Sequence, residues 1–97
     1  MTKIVIGPRA RADARGIWQY TNGEHGPDAA DAYLRDLDQA MQRVREFPDM
    51  GSDCSDVRKG YRRTRCGSHL IYYICSKTDI CAIRILHERQ DPTTNLR

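Results

Sequence analysis

The sequence predicts an α+β domain of element order β-α-α-β-β-β, a helical hairpin packed on a small antiparallel sheet. Three observations predict it. The chain opens on a short β-branched run. Two amphipathic stretches follow, each starting on Gly-Pro, and the second half holds three strand-like runs separated by tight turns.

The opening strand is read over Thr2 to Ile6, bounded by Gly7-Pro8. Proline suits the first position of a helix, because its missing N–H would have no intrahelical partner there. Ala10, Ala14, Ile17, Trp18 and Thr21 then recur at helical spacing, and Asn22-Gly23 is expected to break the helix near Tyr20 or Thr21. Gly26-Pro27-Asp28 repeats the start signal, with Asp28 placed to complement the helix dipole. Ala30, Tyr33, Leu34, Leu37, Ala40, Met41, Val44 and Phe47 follow the 3, 4, 3, 4 rhythm of an amphipathic helix, and Pro48 ends it. Residues 48–60 are turn-rich and read as one long loop. Tyr61 to Cys66, His69 to Cys75 and Ile80 to Leu86 then read as a three-stranded meander.

A chain of 97 residues is one domain with one modest core, so a single domain over 1–97 is expected, with 87–97 as a polar, exposed C-terminal tail. An apolar fraction of 39% beside a charged fraction of 30% excludes a disordered tail. The longest apolar run, Leu70 to Cys75, is far below the roughly 18–20 residues of a membrane helix, so no membrane partner is expected. The N-terminus lacks a charged head followed by an apolar stretch, which makes a cytoplasmic location the default.

Charge is concentrated in the second half. The net charge of +3 falls on residues 48–97, and Arg58 to His69 carries five Lys/Arg and no acid. Arginine outnumbers lysine 13 to 3, which favours an anionic partner, although arginine-rich codon usage would give the same excess. Cys54, Cys66, Cys75 and Cys81 form no C-x-x-C pair, and His25, His69 and His87 are not at finger spacing. Free cysteines, no metal and no cofactor are expected.

Several blocks together resemble the ParE toxins of bacterial toxin–antitoxin pairs, within the RelE/ParE superfamily. They are Ile17-Trp18-Gln19-Tyr20, Phe47-Pro48-Asp49-Met50-Gly51, Val57 to Arg63, His69 to Tyr73, and Ile83-Arg84-Ile85-Leu86-His87-Glu88-Arg89-Gln90-Asp91-Pro92. They run in register over residues 2–92. Two positions depart from the family pattern: Gly7 replaces a serine before the proline, and Gln90 replaces a methionine in the closing motif. The resemblance implies the superfamily's β-α-α-β-β-β fold, a role in plasmid stabilisation, and a toxin that stalls DNA gyrase and is silenced by a ParD-like antitoxin. Direct sequence-specific nucleic-acid binding is not implied. RelE-type relatives are instead ribosome-dependent ribonucleases, the alternative reading.

Cutting RNA at the 2′-hydroxyl needs a base, an acid and cations around the phosphate. The positions matching a RelE-type site hold Arg63, Arg65, His69, His87 and Arg89. This acid–base set is incomplete, with no lysine pair on Arg62 to Cys66 and no tyrosine after His87, so the chain is expected not to be an enzyme. Arg63, Arg65, Arg84, His87 and Arg89 are then candidates for contacting the target. Trp18, Arg58, Arg62, Tyr72 and Tyr73 are candidates for contacting the antitoxin. Trp18 and Tyr20 are also read as sealing the helix–sheet core, Tyr33 as core, and one of Tyr72 and Tyr73 as buried with the other exposed. Strand alternation puts Arg63 and Arg65 on one face and Arg62 on the other.

Overall fold

A computed structural model describes residues 2–96; Met1 and Arg97, the outer limits of the expected domain and tail, lie outside the described residues. The elements are β1 (Lys3–Ile6), α1 (Pro8–His25), α2 (Pro27–Glu46), β2 (Ser52–Asp53), β3 (Arg62–Cys66), β4 (His69–Cys75), β5 (Asp79–His87) and α3 (Pro92–Asn95). The sheet order is β1-β5-β4-β3-β2. β1 lies parallel to β5, and the other pairs are antiparallel. The expected order is therefore present, with two short additions: β2 inside the long loop and α3 in the tail.

The helical hairpin turns on a single residue. α1 runs through Asn22-Gly23 to His25, four residues beyond the expected break, because the backbone ladder continues and Gly26 N–H still reaches Asn22 O at 2.9 Å. One glycine within a helix costs only about 1 kcal/mol, which the packing of α1 against α2 and β5 offsets. Gly26 has φ 91°, a backbone conformation that favours glycine, and it serves as both the C-cap of α1 and the N-cap of α2. Trp18 Nε1–H donates to Asp31 Oδ1 at 2.8 Å and ties the two helices together.

The main core lies between the hairpin and one face of the sheet. Ile17, Leu37, Met41 and Val44 meet Ile71, Tyr73, Ile80, Ala82 and Ile85. A register shift between Tyr72 and Tyr73, opposite Arg84 and Ala82, marks a β-bulge that keeps Ile80, Ala82 and Ile85 all on the helix side.

The other face is not open. Cys54, Tyr72, Leu86 and Leu96 form a second buried cluster, flanked by Val57, Tyr61 and Leu70. Both tyrosines are consequently 0% exposed, correcting the expectation that one of them faces solvent. The long loop covers this face from one side and the chain end from the other. Residues 88–91, 93 and 94 are exposed, whereas Leu96, within the segment expected to be exposed, is only 3% exposed. All four cysteines are free, and the buried one is Cys54 in the loop, while Cys75 in its apolar run is exposed.

Gly51 is required by close approach. A Cβ there would lie 2.2 Å from Tyr73 Oη and 2.7 Å from Arg63 O. The same turn is pinned by Tyr73 O–H donating to Pro48 O at 3.2 Å, and by Arg62 donating to the carbonyls of Asp49 and Gly51.

Candidate functional site

A groove of about 740 Å³ lies between α1, the start of α2 and the far end of the β4–β5 ladder. Helical periodicity brings Ala12, Gly16 and Tyr20 to its α1 wall, and strand pairing sets His69 directly opposite His87. Ile17 and Ile85 supply apolar lining. Tyr20, read from sequence as sealing the core, is instead 72% exposed on this rim, because it lies beyond the stripe that carries Ile17 into the core.

A polar relay crosses the groove. Tyr33 O–H donates to Cys66 O at 3.1 Å and pairs with His69 Nδ1 at 2.6 Å. The carbonyl only accepts, so the hydroxyl oxygen receives the proton from His69 Nδ1–H. The His69 ring stands edge-on to both Tyr33 and His87, with centroids 5.4 Å apart in each pair. Burial holds His69 below its ordinary value of 6.5, and the neighbouring His87 pushes the same way, so the neutral imidazole is favoured. Burial raises the Tyr33 phenol, which stays protonated. Tyr33, read as core, is thus the residue of this relay that periodicity alone did not reveal; only the fold sets its hydroxyl against His69.

The closing motif is organised around His87. Its Nδ1 accepts from the Arg89 backbone N–H at 3.1 Å, and the His87 backbone N–H donates to Gln90 Oε1 at 2.8 Å. The glutamine that departs from the family pattern therefore caps the end of β5 with its side chain.

The expected target-contacting residues separate into two groups. Arg84 is internal: Nε donates to Asp13 Oδ2 at 2.7 Å, Nη2 to Asp13 Oδ1 at 3.0 Å and Nη1 to Asn95 O at 2.8 Å. Asp13 also accepts Ile85 N–H at 2.9 Å, beyond the point where β1 stops pairing with β5. Both side chains are largely buried, and the bond to Asp13 raises the Arg84 guanidinium further, so Arg84 offers no surface to a target. In the sequence Asp13 opens the D-x-x-x-I-W-x-Y pattern that ends on Tyr20, and only the fold sets it against Arg84. Arg65 is exposed and bonded to Glu88 Oε2 at 2.6 Å, which holds the Glu88 carboxyl below its usual range. Arg89 is exposed, and Arg63 is half-buried with Nη1 3.5 Å from Tyr72 Oη. As alternation predicted, Arg63 and Arg65 pair with Tyr72 and Leu70 of the second-cluster face, while Arg62 pairs with Tyr73 of the helix face.

Of the antitoxin-contacting candidates, Tyr72 and Tyr73 present no ring, since both are fully covered by opposite halves of the fold. Arg62 is drawn inward onto the Asp49–Gly51 carbonyls. Arg58 is exposed yet donates to Leu96 O at 2.8 Å and stacks over the Tyr61 ring. Trp18 is half-buried. Among the described residues no group of three or more His, Cys, Asp and Glu could hold a metal ion, and no helix is long and apolar enough to cross a membrane.

A helical hairpin over a mixed five-stranded sheet, with a groove at its open end, defines an α+β domain of the RelE/ParE-like class. Comparison with known proteins narrows the class. The family described as the ParE toxin of the type II toxin–antitoxin system parDE matches residues 4–92. Toxin ParE1 of Mycobacterium tuberculosis (strain CDC 1551 / Oshkosh) is 35% identical over 96 residues, covering 98% of both chains. Toxin ParE1 of Caulobacter vibrioides is 35% identical over 92 residues, 94% of both chains. Toxin ParE of Escherichia coli is 31% identical over 97 residues, 99% of this chain and 94% of that one. A chain of the chromosomal ParDE TA system from P. aeruginosa shares the fold, with a TM-score of 0.78 at 17% identity over 90% of this chain and 96% of that one. The chain belongs to the ParE toxin family and is the toxin component of a type II toxin–antitoxin system.

Proposed function

We propose that this toxin acts by binding DNA gyrase, without bond-breaking chemistry of its own, and that a ParD-like antitoxin neutralises it. One observation beyond family membership supports the reading: of the residues matching a RelE-type site, Arg65 is paired with Glu88 and His69 is hydrogen-bonded to Tyr33, so two of the five are engaged within the molecule. The bond between His69 and Tyr33 joins a neutral imidazole to a protonated phenol. Arg63, Arg65, His87 and Arg89 remain the candidate contacts with the target, and Trp18 and Arg58 those with the antitoxin. A gyrase target also makes the cytoplasm the place of action.

Adding the purified chain to gyrase should lower supercoiling and accumulate cleaved DNA, and a cognate ParD-like antitoxin should restore turnover. Unchanged supercoiling at excess toxin would remove the proposal.

A further inference from the structure

The turn at residues 47–51 is fixed more firmly than a connection between α2 and β2 requires. Phe47 N–H donates to Arg43 O at 2.8 Å, and Met50 N–H donates to Phe47 O at 3.0 Å. Side chains from β3 and β4 hold the remaining carbonyls: Tyr73 O–H donates to Pro48 O, and Arg62 donates to Asp49 O and Gly51 O. That clasp leaves Arg62 Nε buried without a hydrogen-bond partner among the described residues, which costs stability. The apolar side chains of the turn nevertheless face outward. Phe47, the last step in the apolar rhythm of α2, is 60% exposed and Met50 is 47% exposed, two of the four large apolar residues exposed among the described residues. Neither belongs to a buried cluster. An aromatic ring and a thioether displayed on a backbone already held in one shape can bind a partner with little further loss of entropy.

The surroundings of the turn define its partner. Arg43 and Arg45, in the last turn of α2, make no side-chain hydrogen bond or ion pair among the described residues, and they line a cleft of about 450 Å³ with Thr2, Gln42 and Glu46. Glu46 and Asp49 are exposed beside them, and the C-terminal carbonyls of α2 add negative potential, so a nucleic-acid backbone fits poorly. A protein surface fits well: an apolar socket for Phe47 and Met50, with single carboxylates on its rim for Arg43 and Arg45. A two-fold pair of this chain would instead set the same convex turn and the same cations against each other. The turn runs straight into β2, where Ser52 faces Arg63, one of the candidate contacts with the target. Continuity with Arg63 assigns the turn to the target.

We propose that the Phe47–Met50 turn is the ridge by which this toxin docks on gyrase, inserted into an apolar, carboxylate-rimmed cleft of the enzyme. The proposal rests on the gyrase reading above and names the surface that serves it. The test titrates supercoiling by purified gyrase with wild type, Phe47→Ser/Met50→Ser and Arg43→Gln/Arg45→Gln, and measures the affinity of each for a cognate ParD-like antitoxin. All four positions are exposed, so circular dichroism and melting temperature should be preserved. The apolar double variant should raise the concentration for half inhibition by about 100-fold and the arginine double variant by about 10-fold, with antitoxin affinity unchanged. Equal inhibition by all three proteins would overturn the docking assignment and leave the gyrase reading intact. No inhibition by the wild type would overturn both. The assignment also falls if the apolar double variant weakens antitoxin binding, or abolishes self-association in sedimentation, while gyrase inhibition is unchanged. Wild-type protein gives a second readout that needs no variant to fold. Cys75 is exposed and feels the charges of Arg62 and Asp49, which places its thiol beside the turn. At inhibitory ratios gyrase should protect Cys75 from maleimide labelling, read by mass spectrometry, and unchanged labelling at those ratios would overturn the assignment.

Discussion

The two faces of the sheet are closed by different physics. The helix face is a continuous apolar layer, in which Leu37, Met41 and Val44 of α2 cover Ile71, Tyr73 and Ile80. The opposite face has only Cys54, Tyr72, Leu86 and Leu96 at its centre, and guanidinium-to-carbonyl clasps hold its cover in place. Arg9 from α1 and Arg84 from β5 both donate to Asn95 O, and Arg58 from the loop donates to Leu96 O. One face is held by area removed from water, the other by directional bonds from three separate parts of the chain to its final turn. The first kind tolerates redistribution of volume; the second fails when one donor or its anchor is removed.

Removing the anchor should have the largest effect. Asp13→Ala leaves the Arg84 guanidinium uncompensated and Ile85 N–H without its partner, a buried break that costs about 3–5 kcal/mol. Urea denaturation followed by circular dichroism should show it, and a loss below about 1 kcal/mol would mean the clasp is not structural. Next come paired cavity variants. Leu37→Ala on the helix face should cost about 3 kcal/mol, and Leu96→Ala on the clasped face about 2 kcal/mol because the chain end relaxes. Only Leu96→Ala should also speed labelling of Cys54, which is 2% exposed in the intact fold.

Acid should weaken the end of the sheet that lines the groove. His69 binds protons less readily when folded than its ordinary 6.5, so the unfolded chain takes up more protons as pH falls. Stability should be full above about pH 6.5 and decline as the pH drops through the lower folded value, and His69→Gln should flatten that slope in pH-dependent melting. The Glu88 carboxyl is held below its ordinary 4.5 and adds a loss of the same sign that begins only as the pH falls past that value. The smallest effect belongs to Arg65→Ala: its pair with Glu88 is solvent-exposed, and stability should change by less than about 1 kcal/mol.

The same contrast explains what could be read from the chain. The hairpin and its apolar stripe follow from periodicity, and the meander from turn residues, because both signals are local. Three features were not legible. The helix through Asn22-Gly23 survives because tertiary packing outweighs a local breaker. Tyr72 is buried because Leu96, a single apolar residue at the end of a polar segment, folds back onto it. Arg84 reads as an exposed strand cation until Asp13, 71 positions away, is placed against it. In the candidate site, His69, His87 and Arg89 were legible from the motif blocks. Tyr33, Gly16 and the role of Gln90 were not, since each depends on which residues the fold sets opposite them.

The most direct test of a toxin that works by occupying its target is a gyrase supercoiling titration with wild type and a Tyr33→Phe/His69→Gln double variant, with ribosome-bound message assayed in parallel. The account predicts equal inhibition by both proteins and intact message throughout. Normal supercoiling with RNA fragments that appear for the wild type and vanish for the double variant would contradict it.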